Sequence, residues 1–173
     1  IRSRLVGSEM CIRDSVIAAK AVGFLEALKP DFRNYISNVL ANAKMLAETL
    51  KNNGFKIFSG GTDTHLMLVD LRPFNVKGNM AADSLCRANI TCNKNGIPFD
   101  TESPMITSGI RLGTQAATTR GFGLEEFKLV GNLITKVIKG LSTNQEDNSK
   151  VENEVRKEVI DLCSKFPIYK NLK

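Results

Sequence analysis

The stretch ITSGIRLGTQAATTRG, residues 106–121, sets two arginines among threonines, glycines and other small residues. Arg111 stands between Ile110 and Leu112, with Gly109 and Gly113 beside them. A guanidinium stays charged at physiological pH and presents a planar fork of donors that fits a carboxylate at two points. Flanking glycines let a ligand approach the backbone. The chemistry this pattern suits is anion capture. The plain alternatives are an exposed strand arginine, or one ion-paired with Asp70 or Asp100.

The second candidate is NKNGIPFDTESPM, residues 93–105, a run of turn residues with two prolines. Long loops without their own secondary structure are often functional, though a plain connection is the simpler reading. Asn95 offers a donor pair and an acceptor, which suits the edge of a heterocycle. Ser103 adds a hydroxyl, while Pro104 and Met105 add apolar surface.

Other polar residues carry less. His65 is the single histidine, and a packed or hydrogen-bonded role suits it better than catalysis. No Ser-His-Asp arrangement can be built around it. SGGTDT, residues 59–64, lacks the lysine and following helix of a phosphate loop and reads as a turn. Cys11, Cys86, Cys92 and Cys163 form no C-x-x-C, so no metal site is expected. Their spacing points to a reducing, cytoplasmic setting, with Cys86, Cys92 and Cys163 packed as small apolar side chains.

Elements must hold these residues in place, and the order of elements defines the fold class. VIAAKAVGFLEALK, residues 16–29, reads as a helix apolar nearly all round, a pattern usual for burial between layers. Pro30 opens a second helix whose stripe is Phe32, Ile36, Val39, Ala43, Leu46 and Leu50, closed by Gly54. FKIF and HLMLVDLR read as antiparallel strands. A short helix over residues 78–88, a brief strand ITCN and a strand SGIRLGT running into a short turn follow. Residues 124–141 form an amphipathic helix. After the polar linker STNQEDNS, a last helix carries Ser149 and Glu152 at capping-box spacing. The expected architecture is α/β, with an α+β small domain: a small mixed or antiparallel sheet with helices packed on one face.

The chain has 173 residues, 42% of them hydrophobic and 24% charged, a globular composition. The net charge is +6, but basic and acidic residues interleave, so neither nucleic acid nor a membrane is the expected partner. A basic RNA-associating domain is a weaker reading, since aromatics are only 6% and Trp is absent. The opening IRSRLVGSEMCIRDS, residues 1–15, has no periodicity, and LVGSEMCIRDS is similar to the translation of a transposase-type sequencing adapter. It is set aside as an artefact and expected to be disordered. Residues 16–53 are expected to be helices linking a large and a small domain, and residues 54–173 the small domain. The first residue is Ile1, consistent with an internal piece of a longer chain.

SGGTDTHLMLVDLRP, ANITCNKNGIPFD, SPMITSGIRLGT and TTRGF, in that order, resemble the serine hydroxymethyltransferase family, as do VIAAKAVGFLEALKP and EVIDLCSKFPIY. The resemblance implies the C-terminal part of the aspartate-aminotransferase-like fold type I. It implies transfer of the serine hydroxymethyl carbon to tetrahydrofolate, giving glycine, with pyridoxal phosphate as cofactor. It implies that Arg111 holds the carboxylate of serine or glycine and fixes rotation about the Cα–N bond. It places Asn95, Ser103, Pro104 and Met105 against the folate and implies a homodimer or homotetramer, while no ligand role carries over to Arg120, which reads as structural. The cofactor lysine lies upstream in the family, so this chain alone is expected to hold no catalytic or cofactor-binding residue and to be inactive. Two positions depart: Gln115 stands where the family commonly has proline, and Met105 where an aromatic is usual. A stand-alone module that binds carboxylate ligands is the alternative.

Overall fold

The computed structural model describes residues 10–168, with side chains described from Ser15. Residues 1–9 and 169–173 therefore lie outside the account, including most of the segment set aside above. The remainder of that segment is helical, because α1 runs from Met10 to Ala27. The chain divides into two compact units, residues 1–37 and 38–173. The division falls within α2, Pro30–Asn52.

In the first unit, the apolar residues of α1 stand in the open: Val16, Ile17, Val22, Phe24 and Leu25 are all exposed. All-round hydrophobicity is usual for a helix buried between layers, and here these apolar side chains are exposed.

The second unit holds the sheet. Its elements are the C-terminal part of α2, β1 (Lys56–Ile57), β2 (Leu66–Asp70), α3 (Gly78–Arg87), β3 (Asn93–Asn95), β4 (Gly109–Gly113), α4 (Gln115–Arg120), α5 (Leu124–Thr143) and α6 (Ser149–Ser164). The strands run in the order β1-β2-β4-β3, each pair antiparallel. Alternation sorts the side chains. Ile57, Met67, Val69, Ile110 and Leu112 are buried in one core with Leu46, Leu50, Leu85, Ile134, Ile138 and Val155 of the helices. Leu68, Arg111 and Asn93 belong to the other face, where Leu68 is half-buried and Arg111 and Asn93 are exposed. Gly54, with φ +96°, closes α2 as its sequence position suggests.

Three elements differ from the sequence reading. The third strand is Asn93–Asn95 rather than ITCN, and the short turn after β4 is a helix, α4. Thr114 fixes the entry to α4: its amide and hydroxyl both donate to the His65 carbonyl, and the hydroxyl also lies 3.1 Å from the Val39 carbonyl. The third difference concerns Glu152. Its carboxylate does not cap α6. It accepts from Ser84 Oγ at 2.6 Å and from Arg87 Nε and Nη2 at 2.6 and 2.7 Å, binding α6 to α3. Asn148 Nδ2 donates to Ser84 Oγ and to the Val137 carbonyl, adding α5 to the same buried network. The Ser149 amide is met by Asp147 instead. A half capping box does occur at α5, where Glu126 Oε2 accepts the Gly123 amide at 2.8 Å.

Candidate functional site

Arg111 is the centre residue of β4. Its Cα partners are Leu68 on β2 and Asn93 on β3. Ile110 and Leu112 on either side are buried, so the pleat turns Arg111 away from the core, and it is exposed. No hydrogen bond or ion pair engages its guanidinium among the described residues.

The two acids that could have neutralised it are committed elsewhere. Asp70 lies on the same face, in register with Gly109, yet its carboxylate receives the Arg72 side chain (Nη2 to Oδ2, 2.7 Å; Nε to Oδ1, 3.0 Å) and the Arg72 amide at 3.0 Å. Burial would raise the Asp70 pKa, but the bonds from Arg72 outweigh that and hold it below the usual carboxylate value. Asp100 receives four donors, none from Arg111: the amides of Ile97, Glu102 and Ser108, and the Ser108 hydroxyl. Burial opposes ionisation there too, and the Ser108 hydroxyl and the three amides overcome it, leaving Asp100 well below the carboxylate range.

A cavity of about 420 Å³ opens beside Arg111. His65, Thr91, Cys92, Asn93, Gly113 and Gln115 share its wall. His65 thus borders the candidate site, and its carbonyl serves as the acceptor for Thr114. Burial pushes the Cys92 thiol up to about 11, so it is neutral and a poor nucleophile. Among the described residues no lysine and no acid lines this cavity. The described residues here do not meet the demands of pyridoxal phosphate, which needs an amine for covalent attachment and an acid beside its ring nitrogen. Among the described residues no group of acidic, histidine or cysteine side chains could hold a metal ion, and no helix is long and apolar enough to cross a membrane.

Asn95 closes β3 in register with Gly109. Two steps from Asn93, it lies on the face that carries Arg111, a diagonal neighbour at roughly 7–8 Å by ladder geometry. Its Nδ2 donates to the Gly96 carbonyl at 2.8 Å, and its Oδ1 has no partner among the described residues. Ser103, Pro104 and Met105 form the exposed crown of the β3–β4 loop. The Ser103 carbonyl accepts the amides of Ile106 and Thr107, each at 3.0 Å, and Lys94 Nζ reaches the Met105 carbonyl at 2.7 Å. Phe99 (φ 57°) and Thr107 (φ 63°) hold left-handed backbone in this loop, a strained state at non-glycine positions.

Structure changes the reason for one glycine. Gly109 is buried, and a Cβ there would lie 2.6 Å from Ile97 Cγ2 and 2.7 Å from the Val69 carbonyl. It allows close packing within the domain rather than ligand approach. Gly113 is exposed and lines the cavity. Arg120 donates to the carbonyls of Phe166 and Cys163, holding the end of α6. SGGTDT is a turn tied by Thr62, whose hydroxyl reaches the Leu66 carbonyl at 2.6 Å. Asn93 was missed in the sequence; its signal is two-residue spacing from Asn95, readable only once the strand is placed. The fourfold role of Asp100 was also missed, although an aspartate two residues before a backbone donor is a familiar turn signal.

The geometry defines a small α/β domain whose sheet carries, among the described residues, an exposed and unpaired guanidinium at Arg111 with the amide side chains of Asn93 and Asn95 on the same face. A family model described as serine hydroxymethyltransferase matches residues 7–134. A serine hydroxymethyltransferase of Pelagibacter ubique (strain HTCC1062) is 82% identical over 158 residues, which cover 91% of this chain and 36% of that relative. Those of Marinomonas sp. (strain MWYL1) and Paramagnetospirillum magneticum (strain ATCC 700264 / AMB-1) are 63% and 62% identical over 155 and 154 residues, covering 90% and 89% of this chain and 36% of each relative. The chain belongs to the serine hydroxymethyltransferase family, whose fold is the pyridoxal-phosphate fold type I. It spans little more than a third of the length of these relatives.

Proposed function

We propose that this chain is the C-terminal part of a transferase that interconverts serine and glycine, passing the hydroxymethyl carbon to tetrahydrofolate. Arg111 is the substrate-carboxylate anchor. The single observation that carries this is a guanidinium exposed and, among the described residues, unpaired, while Asp70 and Asp100 are both engaged by other donors. A carboxylate seated on its fork at two points loses rotational freedom, which orients the bonds at the neighbouring Cα. Asn95 and the Ser103-Pro104-Met105 turn bind the folate, the amide through hydrogen bonds and the turn through apolar contact. Pyridoxal phosphate supplies the electron sink for the reaction. Its attachment lysine and ring partners belong to sequence that this chain does not contain, so the chain alone is inactive. The whole enzyme works as a homodimer or homotetramer in the cytoplasm.

The test has two arms. The purified chain mixed with pyridoxal phosphate should give no stable visible band that borohydride bleaches. The protein encoded by the complete reading frame should give one, and should cleave serine in the presence of tetrahydrofolate. A borohydride-sensitive adduct at a specific lysine of the short chain would refute its inactivity. A complete protein that binds glycine but neither cofactor nor folate would favour the carboxylate-binding module.

A further inference from the structure

The turn Ser103–Met105 is exposed, and the loop that carries it holds left-handed backbone on either side of it, at Phe99 and Thr107. The structure shows one carboxylate at the base of the loop. Asp100 Oδ2 accepts the amides of Ile97 at 3.1 Å and Ser108 at 2.9 Å. Oδ1 accepts the Glu102 amide at 3.0 Å and the Ser108 hydroxyl at 2.6 Å. Ile97 lies just beyond β3 and Ser108 immediately before β4, so a single side chain ties the way in to the way out. The return arm is fastened independently. Gly78 and Asn79 at the start of α3 donate their amides to the Thr107 and Ile106 carbonyls, both at 2.9 Å, and the Leu71 amide reaches the Ser108 carbonyl at 3.0 Å.

Only an ionised carboxylate suits this nest. It accepts on both oxygens and donates nothing, whereas an amide would turn an NH2 toward two of the donors. Asp100 makes no contact with Arg111, whose position is set by the ladders of β4 with β2 and β3. We infer that Asp100 is a positioning residue: by stapling Ile97 to Ser108 it fixes the β3–β4 loop that carries the Ser103–Met105 turn, and so sets affinity for the folate co-substrate separately from the amino-acid carboxylate on Arg111. This rests on the function proposed above.

The test uses the holoenzyme from the complete reading frame, comparing wild type with Asp100→Asn and the milder Ser108→Ala. Glycine and 5-formyltetrahydrofolate are titrated separately, and amide exchange is followed at Ile97, Glu102 and Ser108. Asp100→Asn should speed exchange at those amides and weaken folate binding about tenfold, with glycine binding within about twofold of wild type. Ser108→Ala should move folate binding in the same direction by a smaller factor, which preserves the test if the first variant folds poorly. Wild-type folate affinity in variants with faster exchange would overturn the inference. Equal loss of both ligands would also overturn it, reducing Asp100 to general stability. A wild-type protein that binds neither ligand would instead refute the functional reading on which it stands.

Discussion

Asp70 and Arg72 close on each other two residues apart, with Nη2 2.7 Å from Oδ2 and Nε 3.0 and 3.2 Å from the two oxygens. Asp70 shares the sheet face of Arg111, so this pairing decides whether that face is neutral or cationic. Because Arg72 holds the acid, the Arg111 guanidinium stays unpaired among the described residues. The side chain of Arg72 is half exposed and that of Asp70 is buried. In Arg72→Ala, Asp70 loses its neutralising partner, its pKa rises, and glycine affinity should fall as the carboxylate competes for Arg111. Glycine titration beside an acid-unfolding curve checks both effects; unchanged affinity would show that Asp70 does not reach Arg111.

Acid should destabilise the protein in a defined window. Asp70, Asp100 and Glu152 all have folded pKa values below their unfolded values of 3.8, 3.8 and 4.5. For Glu152 the Arg87 bond lowers it, burial opposes, and Ser84 adds to the lowering. The unfolded chain binds these protons first, so their stabilisation is complete above the unfolded values and is lost as pH falls through the folded ones. Urea midpoints should be flat with respect to these groups above about pH 5 and fall steadily below about pH 4. Asp100→Asn should flatten part of that slope. An unchanged slope would mean that Asp100 titrates alike in both states.

Gly109→Ala should destabilise by about 1–3 kcal/mol, since the added methyl meets both Ile97 and the Val69 carbonyl. Urea unfolding measures this. A neutral result would return Gly109 to the role of ligand access that its place beside Ile110 and Arg111 suggests.

The sequence made the strand of Arg111 readable and its surroundings less so. SGIRLGT reads as a strand, and β4 runs over Gly109–Gly113 within it, while the side that Arg111 takes came only with the burial of Ile110 and Leu112. Helix α5 and the strands β1, β2 and β4 follow from periodicity and turn residues in the same way. Strand β3 shifted because its partner, not its own composition, selects the paired residues. The commitments of Asp70 and Asp100 were open alternatives, since both acids are far from or near to Arg111 only after folding. Glu152 had the spacing of a cap and a stronger offer from Arg87 and Ser84. The exposure of α1 lay beyond periodicity, which reports what a helix can bury and not what is there to bury it.

Cysteine chemistry should separate along burial. Cys86 is exposed, while Cys92 is half-buried with its thiol pushed up to about 11. Iodoacetamide at about pH 8 should modify Cys86 well before Cys92, as read by peptide mass spectrometry. Equal rates would show that the wall of the Arg111 cavity opens readily.

The most direct measurement is glycine affinity in Arg111→Lys beside wild type, in the protein from the complete reading frame. An ammonium keeps the charge and loses the fork, so affinity should fall about tenfold or more with the unfolding midpoint unchanged. Equal affinity in the two proteins would contradict Arg111 as the carboxylate anchor.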